Sequence, residues 1–153
     1  MRFSFGEYTV EIDVSATREF YSREMDENDC VCRGCENFRK FAEVCSEEIK
    51  QAFSELGIDN MKKVAEIIPH YCSRADYEKN GGNHYGGFFP VVGKVIGAET
   101  INPNKSTRKI TDKFEFFLCD YCANFDYFPK PILQVEIEAR IPWLIEAENI
   151  YVE

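Results

Sequence analysis

The sequence predicts an α+β fold in which helices cover one face of a mostly antiparallel sheet. Three observations lead to this fold class. Residues that alternate between apolar and polar predict strands near both ends of the chain. Apolar residues at helical spacing follow the first strands, and no regular strand–helix–strand alternation is present. Because the chain has 153 residues and no repeat or linker, residues 1–153 are expected to form a single domain.

The first third of the chain is predicted to hold a hairpin and three helices. Gly6 lies between two alternating stretches and predicts a turn. Ser46 precedes two glutamates, as expected at the start of a helix. The predicted elements are a hairpin over residues 2–14, a helix from Ser15 to Tyr21, a helix over residues 35–45, and a helix from Ser46 to a left-handed stop at Gly57. The sequence leaves open whether the last two helices are continuous.

The remainder of the chain is predicted to supply most of the sheet. The predicted strands span residues 64–68, 85–96, 109–118 and 133–141, with turns over residues 79–83 and 102–106. Glycines and Pro90 interrupt the strand over residues 85–96, which predicts a bulge or bend rather than a straight central strand. Charged residues alternate with apolar ones over residues 133–141, so that strand is expected in a sheet solvated on one side.

The charge balance narrows the classes of partner. The chain carries 27 acidic against 18 basic side chains, a net charge of −9, and its basic residues are scattered. This composition is poorly suited to phosphate backbones, so no nucleic-acid partner is expected. It suits a basic protein partner, although negative charge also simply maintains solubility. No apolar run of signal-peptide or membrane-spanning length is present, so a cytoplasmic location with reduced thiols is expected.

Three of the seven cysteines lie within six residues, at the start of a predicted helix. Metal–thiolate sites collect about four ligands around one ion, often from tight turns. We therefore predict a structural zinc site formed by Cys30, Cys32 and Cys35. The fourth ligand is expected from the later pair, Cys119 or Cys122, and the other candidates are His70, Cys72 and His84. The alternative is that these cysteines behave as small apolar residues or lie free on a loop.

Other chemical interpretations of the sequence are weaker. A dithiol redox role usually accompanies a βαβ unit, which the sequence does not predict. His70 and Cys72 would share a face of one strand and suggest a nucleophile pair, yet no orienting partner is evident. The glycine-rich residues 81–87 match no phosphate-binding motif and predict a hairpin turn. No catalytic residues are therefore predicted, and the protein is not expected to be an enzyme.

Aromatic residues are concentrated near the last strands, at Phe114, Phe116, Phe117, Tyr121, Phe125, Tyr127 and Phe128. Phe117 has the opposite parity to Phe114 and Phe116, so one strand face cannot bury all of them. An exposed group beside acids would suit a protein interface. A second small core beneath the loop over residues 126–131 is the alternative, and the sequence does not decide between the two.

The motif Cys30-x-Cys32-x-x-Cys35-x-Asn37-Phe38 resembles a family of small acidic bacterial proteins of unknown function. The likeness includes the strand over residues 8–14, the stop at 56–58, and residues 85–88 and 128–131, so it covers most of the chain. The resemblance implies an uncharacterised bacterial domain. It assigns no activity or ligand to individual residues.

These observations favour a non-enzymatic protein-binding domain. Its most concrete form is an immunity or antitoxin-type protein that neutralises a basic toxin, because charge steers such encounters and aromatic anchors hold the complex. The alternative is a small zinc-binding structural or regulatory module built on the three clustered cysteines. The oligomeric state is left open.

Overall fold

The computed structural model describes residues 1–120 and 126–153, and these form four α-helices and seven strands. The helices are α1 (Val14–Arg23), α2 (Arg33–Val44), α3 (Glu47–Glu55) and α4 (Arg74–Asn80). The strands are β1 (Arg2–Phe5), β2 (Tyr8–Ile12), β3 (Glu66–Pro69), β4 (Asn83–Ile96), β5 (Arg108–Thr111), β6 (Phe114–Cys119) and β7 (Ile132–Ile141). A 3₁₀ turn spans Pro103–Lys105. Within the described residues, the helices are all too short or too polar to cross a membrane.

All seven strands join one antiparallel sheet in the order β1-β2-β4-β7-β6-β5, with β3 paired to β4. The predicted α+β class is confirmed. β4 is the central strand: residues 83–92 pair with β7 along one edge, while β3 and then β2 pair along the other. The segment is therefore a central strand, and its pairing with β7 does not contain the expected bulge.

The interruptions in β4 have a packing origin. A Cβ on Gly93 would lie 2.6 Å from the Glu11 carbonyl oxygen, so the close approach of β2 requires glycine there. Pro90 lies between the segments paired to β3 and β2, where Tyr21 of α1 donates a hydrogen bond to its carbonyl at 2.8 Å. Proline has no backbone N–H, but neither β3 nor β2 pairs with Pro90, so the sheet loses no hydrogen bond on that edge.

Helices α2 and α3 cover one face of the sheet. The ring of Phe53 in α3 lies 4.8 Å from that of Phe89 and 4.9 Å from that of Phe116, and all three are buried. Phe41 of α2 stacks on Phe114 at 6.1 Å. Aromatic pairs at these separations stabilise a core beyond the area that they bury. The opposite face carries the charged alternates of β7, as the sequence predicts.

The structure corrects the start of one helix and answers the open question about the next two. Asp13, not Ser15, caps α1: its carboxylate accepts a hydrogen bond from the Ala16 N–H at 2.9 Å. Cys45 has extended backbone angles, so α2 and α3 are separate helices, and the predicted cap at Ser46 is confirmed. The left-handed stop at Gly57 is also confirmed, with φ of +97°.

Two elements differ more from the prediction. The prediction lacks α4, although Ser73 caps it and Gly81 ends it in the left-handed conformation. The strand predicted over residues 109–118 is a hairpin, in which β5 and β6 meet at a turn formed by Asp112 and Lys113. The apolar residues from Ile110 to Leu118 all fall on even positions. A two-residue turn does not interrupt this alternation, so the sequence pattern does not reveal the turn.

The aromatic residues near the last strands are partly buried in the core and partly exposed on the open face of the sheet. Phe114 and Phe116 are buried in the core, whereas Phe117 is half-buried on the open face of the sheet. Phe128 is buried and packs against Phe20 of α1 with ring centroids 4.6 Å apart. The predictions that involve Tyr121, Cys122 and Phe125 lie outside the described residues.

Candidate metal centre

The structure brings together the thiols of Cys30, Cys32 and Cys35. Their sulfur atoms all lie within 4.8 Å of one another, and they form the one group of metal-ligating side chains of this kind among the described residues. Cys30 is exposed, Cys32 is half-buried and Cys35 is buried. Zinc–sulfur bonds of about 2.3 Å place sulfurs about 3.8 Å apart in a tetrahedral site. The three thiols therefore need only small movements to hold one ion.

A side chain of α2 holds the loop that carries Cys30. The guanidinium of Arg39 donates hydrogen bonds to the carbonyl oxygens of Asn28 at 3.0 Å and Cys30 at 2.9 Å. The Asn28 side chain in turn accepts a hydrogen bond from the Cys30 N–H at 2.8 Å. Both ends of this short loop are thus tied to the helix that bears Cys35, which fixes the spacing of the thiols before any ion binds.

Cys32 is the N-cap of α2. Its sulfur accepts a hydrogen bond from the Cys35 N–H at 3.4 Å, in the place usually taken by a serine or aspartate oxygen. The free N–H groups and positive dipole end of a helix favour a thiolate at this position. The sequence predicts helix only from Cys35, because a cysteine cap is not a usual start signal.

The three thiols have different acidities. Partial burial acts to raise the pKa of Cys32, but hydrogen bonds from the Cys35 N–H, the neighbouring thiols and Tyr151 outweigh it and lower that pKa below its usual value. Burial raises the pKa of Cys35, and the adjacent thiols raise it further. A bound cation would displace the thiol protons, since metal ions ligate thiolates.

The first turn of α2 is packed tightly against the sheet. A Cβ on Gly34 would lie 2.4 Å from Cγ of Pro69 in β3, so only glycine fits at this point of contact. The sequence suggests that Gly34 frees a turn, whereas the structure places it inside the helix for close packing. Asn37 is fully buried: its amide donates to the Pro142 carbonyl at 3.1 Å and its oxygen accepts from the Leu144 N–H at 2.7 Å.

The end of the described chain also reaches this centre. The hydroxyl of Tyr151 lies against the first turn of α2, 3.1 Å from the position that a Cβ on Gly34 would take, and its interaction with Cys32 helps to lower the pKa of that thiol. The Tyr151 carbonyl accepts hydrogen bonds from the Cys72 N–H at 2.9 Å and the Asn83 side chain at 3.1 Å. Tyr151 is thus a second-sphere neighbour of the thiols, which the sequence gives no signal to identify.

A surface groove of about 420 Å³ leads to Cys30. Glu24, Asp26, Asp29 and Tyr127 are among the residues that line it. Carboxylates beside a thiol raise the local concentration of cations and so favour the approach of a metal ion.

The structure places the other predicted ligands differently. Cys119 lies on β6 with its side chain on the open face of the sheet, where it acts to lower the pKa of Glu136 against the larger effect of burial. The structure does not bring it to the three clustered thiols. Cys122 lies outside the described residues.

His70 and Cys72 do not share a strand. β3 ends at Pro69, and Cys72 forms an isolated bridge with Val152. The His70 ring stacks on that of His84 with centroids 4.7 Å apart, while the Cys72 sulfur accepts a hydrogen bond from the Asn83 amide at 3.5 Å. Burial, followed by the charge of Asp76, raises the pKa of Cys72, which disfavours a thiolate.

Comparison with known proteins adds no precedent for this arrangement. No protein-family model, curated protein or solved structure matches the chain significantly.

Proposed function

We propose that the protein is a metal-binding domain in which Cys30, Cys32 and Cys35 hold one thiophilic ion. The observation that carries this proposal is the approach of all three sulfurs to within 4.8 Å of one another. Thiolates select soft or borderline ions such as zinc over calcium or magnesium, which require oxygen ligands. Among these ions, we expect zinc.

The role of the ion is local reinforcement. The ion would cross-link the loop over residues 24–32 to the first turn of α2. Without the ion, hydrogen bonds from Arg39, further along α2, tie the loop to this helix. Of the three thiols, Cys35 belongs to the buried core and Cys32 packs against it, whereas the rest of that core is formed by side chains outside the metal centre. Removal of the ion is therefore expected to loosen the loop and lower the melting temperature without unfolding the domain.

A cobalt titration tests this proposal. Metal-free, reduced protein should bind one equivalent of Co²⁺ with thiolate-to-cobalt charge-transfer absorption, and Zn²⁺ should displace the cobalt. Cys32→Ser and Cys35→Ser should each remove the charge-transfer band, whereas Cys72→Ser, a control cysteine outside the cluster, should retain it. Absence of the band in the unsubstituted protein, or its retention in both cluster variants, would refute the proposal.

A protein-binding role is a second proposed function. It rests on the net charge of −9 together with the open face of the sheet, where Phe117 lies among acidic side chains. Neutralisation of a basic toxin, as an immunity or antitoxin protein, is the specific form that the sequence predicts. That form requires a tight complex with one basic protein whose affinity falls as salt increases.

A further inference from the structure

The open face of the sheet, opposite α2 and α3, carries alternating acidic and aromatic side chains. Phe88 of β4 pairs with Glu66 of β3 on one side and with Glu136 of β7 on the other. Glu136 pairs in turn with Phe117 of β6. Because adjacent strands lie about 4.8 Å apart, each carboxylate is next to at least one ring. A row of acid, ring, acid, ring therefore crosses four strands.

The next row contains a depression centred on Gly86. Gly86 pairs with Ile68 of β3 and Glu138 of β7, and a Cβ on it would meet only His70, at 3.9 Å. The absence of a side chain opens a groove of about 370 Å³, whose walls include Phe88, Phe117, Glu136 and Glu138.

The charge of this groove is uncompensated. The described residues that line it include no lysine or arginine. The charged and titratable groups near it on this face are Glu66 of β3, His70 just beyond β3, His84 of β4, Lys109 of β5, Glu115 and Cys119 of β6, and Glu136, Glu138 and Arg140 of β7, while Arg2, Glu11 and Lys94 lie at the far end formed by β1, β2 and β4. The two basic groups near the groove have other partners: Arg140 pairs with Asp76 at 2.8 Å and Lys109 with Asp112 at 3.3 Å. Burial raises the pKa of Glu136 and, together with Glu138, that of Glu115.

His84 does not supply the missing positive charge. Burial and the adjacent His70 lower the pKa of His84, which favours a neutral ring at physiological pH. The Nε2 atom of His84 is buried and lies 3.3 Å from a Glu138 oxygen without hydrogen-bond geometry. The neutral ring of His84, stacked on the ring of His70, thus forms one wall beside the carboxylates.

We propose that this open face docks an arginine side chain from an extended basic segment of a partner protein. The arginine stem lies over Gly86, its guanidinium stacks against Phe88, and its N–H groups donate hydrogen bonds to the carboxylates of Glu136 and Glu138. These two residues are two positions apart on β7 and therefore project from the same face, about 7 Å apart along the strand. The inference rests on the proposed protein-binding function and is independent of the metal centre.

Arginine fits this groove better than lysine does. A guanidinium is planar, stacks on aromatic faces and presents several N–H donors in fixed directions, so it contacts a ring and two carboxylates together. A lysine ammonium is a compact and strongly hydrated charge, and it loses more hydration in a half-buried site. The surrounding negative charge steers either cation, but only the shape and donors of arginine match the walls.

A peptide titration followed by NMR tests the inference. The probe is the blocked pentapeptide Gly-Arg-Gly-Arg-Gly, added to ¹⁵N-labelled protein, with lysine and citrulline versions as matched ligands. Amide shifts are expected at Gly86, Phe88, Phe117 and Glu138, with affinity in the order arginine, lysine, citrulline. Gly86→Leu fills the groove, and Glu136→Gln with Glu138→Gln removes its charge, so each change is expected to weaken arginine binding about tenfold or more.

A charge-matched control separates docking from general attraction. Glu47→Gln with Glu48→Gln removes two exposed charges from α3 and should change the affinity less than about twofold. Shifts spread over other acidic surfaces, equal affinity for lysine and arginine, or unchanged binding by Gly86→Leu would overturn the inference. Binding confined to another surface would overturn it while leaving the protein-binding proposal intact. Complete absence of binding would count against both, and neither result affects the cobalt titration.

Discussion

The hydroxyl of Tyr85 donates a hydrogen bond to the carbonyl oxygen of Gly34, with the two oxygens 2.9 Å apart. Tyr85 is fully buried in β4, and Gly34 lies in the first turn of α2 between Cys32 and Cys35. Burial raises the pKa of Tyr85, so the hydroxyl stays protonated and remains a donor. The bond thus joins the central strand of the sheet to the helix turn that carries the thiols.

Tyr85→Phe tests this connection. The change leaves the Gly34 carbonyl without its buried donor, so the free energy of unfolding is expected to fall by about 1–3 kcal/mol. Urea denaturation of the metal-free protein measures it. Tyr71→Phe is the control: its ring is 66% exposed, and a change within about 0.5 kcal/mol is expected. Equal stability of the two variants would show that the buried bond has no such role.

Gly34→Ala is expected to destabilise the protein although alanine favours helices. Helix propensity alone would give a gain of about 1 kcal/mol. The new Cβ would lie 2.4 Å from Pro69, and overpacking of this kind costs about 1–3 kcal/mol. Thermal and urea denaturation should therefore show a net loss of stability and weaker cobalt binding, because the helix turn must move away from β3.

Gly86→Ala provides the matched control, because its Cβ would meet no atom closer than 3.9 Å. We expect this variant to be as stable as the unsubstituted protein or slightly more stable, since alanine restricts the unfolded chain. If Gly34→Ala also proved neutral or stabilising, the tight contact between α2 and β3 would be refuted.

Glu136→Gln is expected to stabilise the protein at neutral pH. The pKa of Glu136 is raised mainly by burial, so the folded state disfavours its ionised form. At pH values below the pKa of Glu136 in the unfolded state, the residue is protonated in both states and the free energy of unfolding is unaffected. As pH rises from that value through the higher pKa of the folded state, the unfolded state ionises more readily, so the free energy of unfolding falls. The variant escapes this loss. Its melting temperature should exceed that of the unsubstituted protein at pH 7 by a few degrees and match it near pH 4.

A melting temperature at pH 7 that is equal to or below that of the unsubstituted protein would contradict this account of Glu136. The expected gain would also support the docking surface. Proteins commonly retain residues that cost stability where a binding site needs them.

The sequence predicts the strands whose alternation is strong and the helices whose caps are conventional. β7 and the cap at Ser46 are found where the pattern places them. The cap at Cys32 and the separate helix α4 are missed, because a sulfur acceptor and a seven-residue helix give weak local signals. The central position of β4 depends on which strands approach its glycines, and that is a tertiary property.

The candidate site is predictable only in its local part. Cys30, Cys32 and Cys35 are close in sequence, so one loop and one helix turn bring them together. The contacts from Tyr85, Pro69 and Tyr151 come from distant segments, and no spacing in the sequence encodes them. For the same reason the sequence cannot indicate that the Cys119 side chain is directed to the opposite face of the sheet.

The fourth ligand can be located by substitution. Because the Cys119 side chain lies on the open face of the sheet and is not brought to the three clustered thiols, Cys119→Ser is expected to leave the cobalt affinity within about twofold. Cys122 is then the predicted fourth ligand, and Cys122→Ser should weaken cobalt binding about tenfold or more. A large loss with Cys119→Ser would contradict the described position of that side chain. No loss with either variant would refute a fourth thiolate from this pair.

The most direct test of the metal centre is elemental analysis of protein purified under reducing conditions without added metal. About one equivalent of zinc per chain is expected for the unsubstituted protein and for the Cys72→Ser control, and little for Cys35→Ser. Less than about a tenth of an equivalent of zinc, with no other thiophilic metal in its place, would contradict the account.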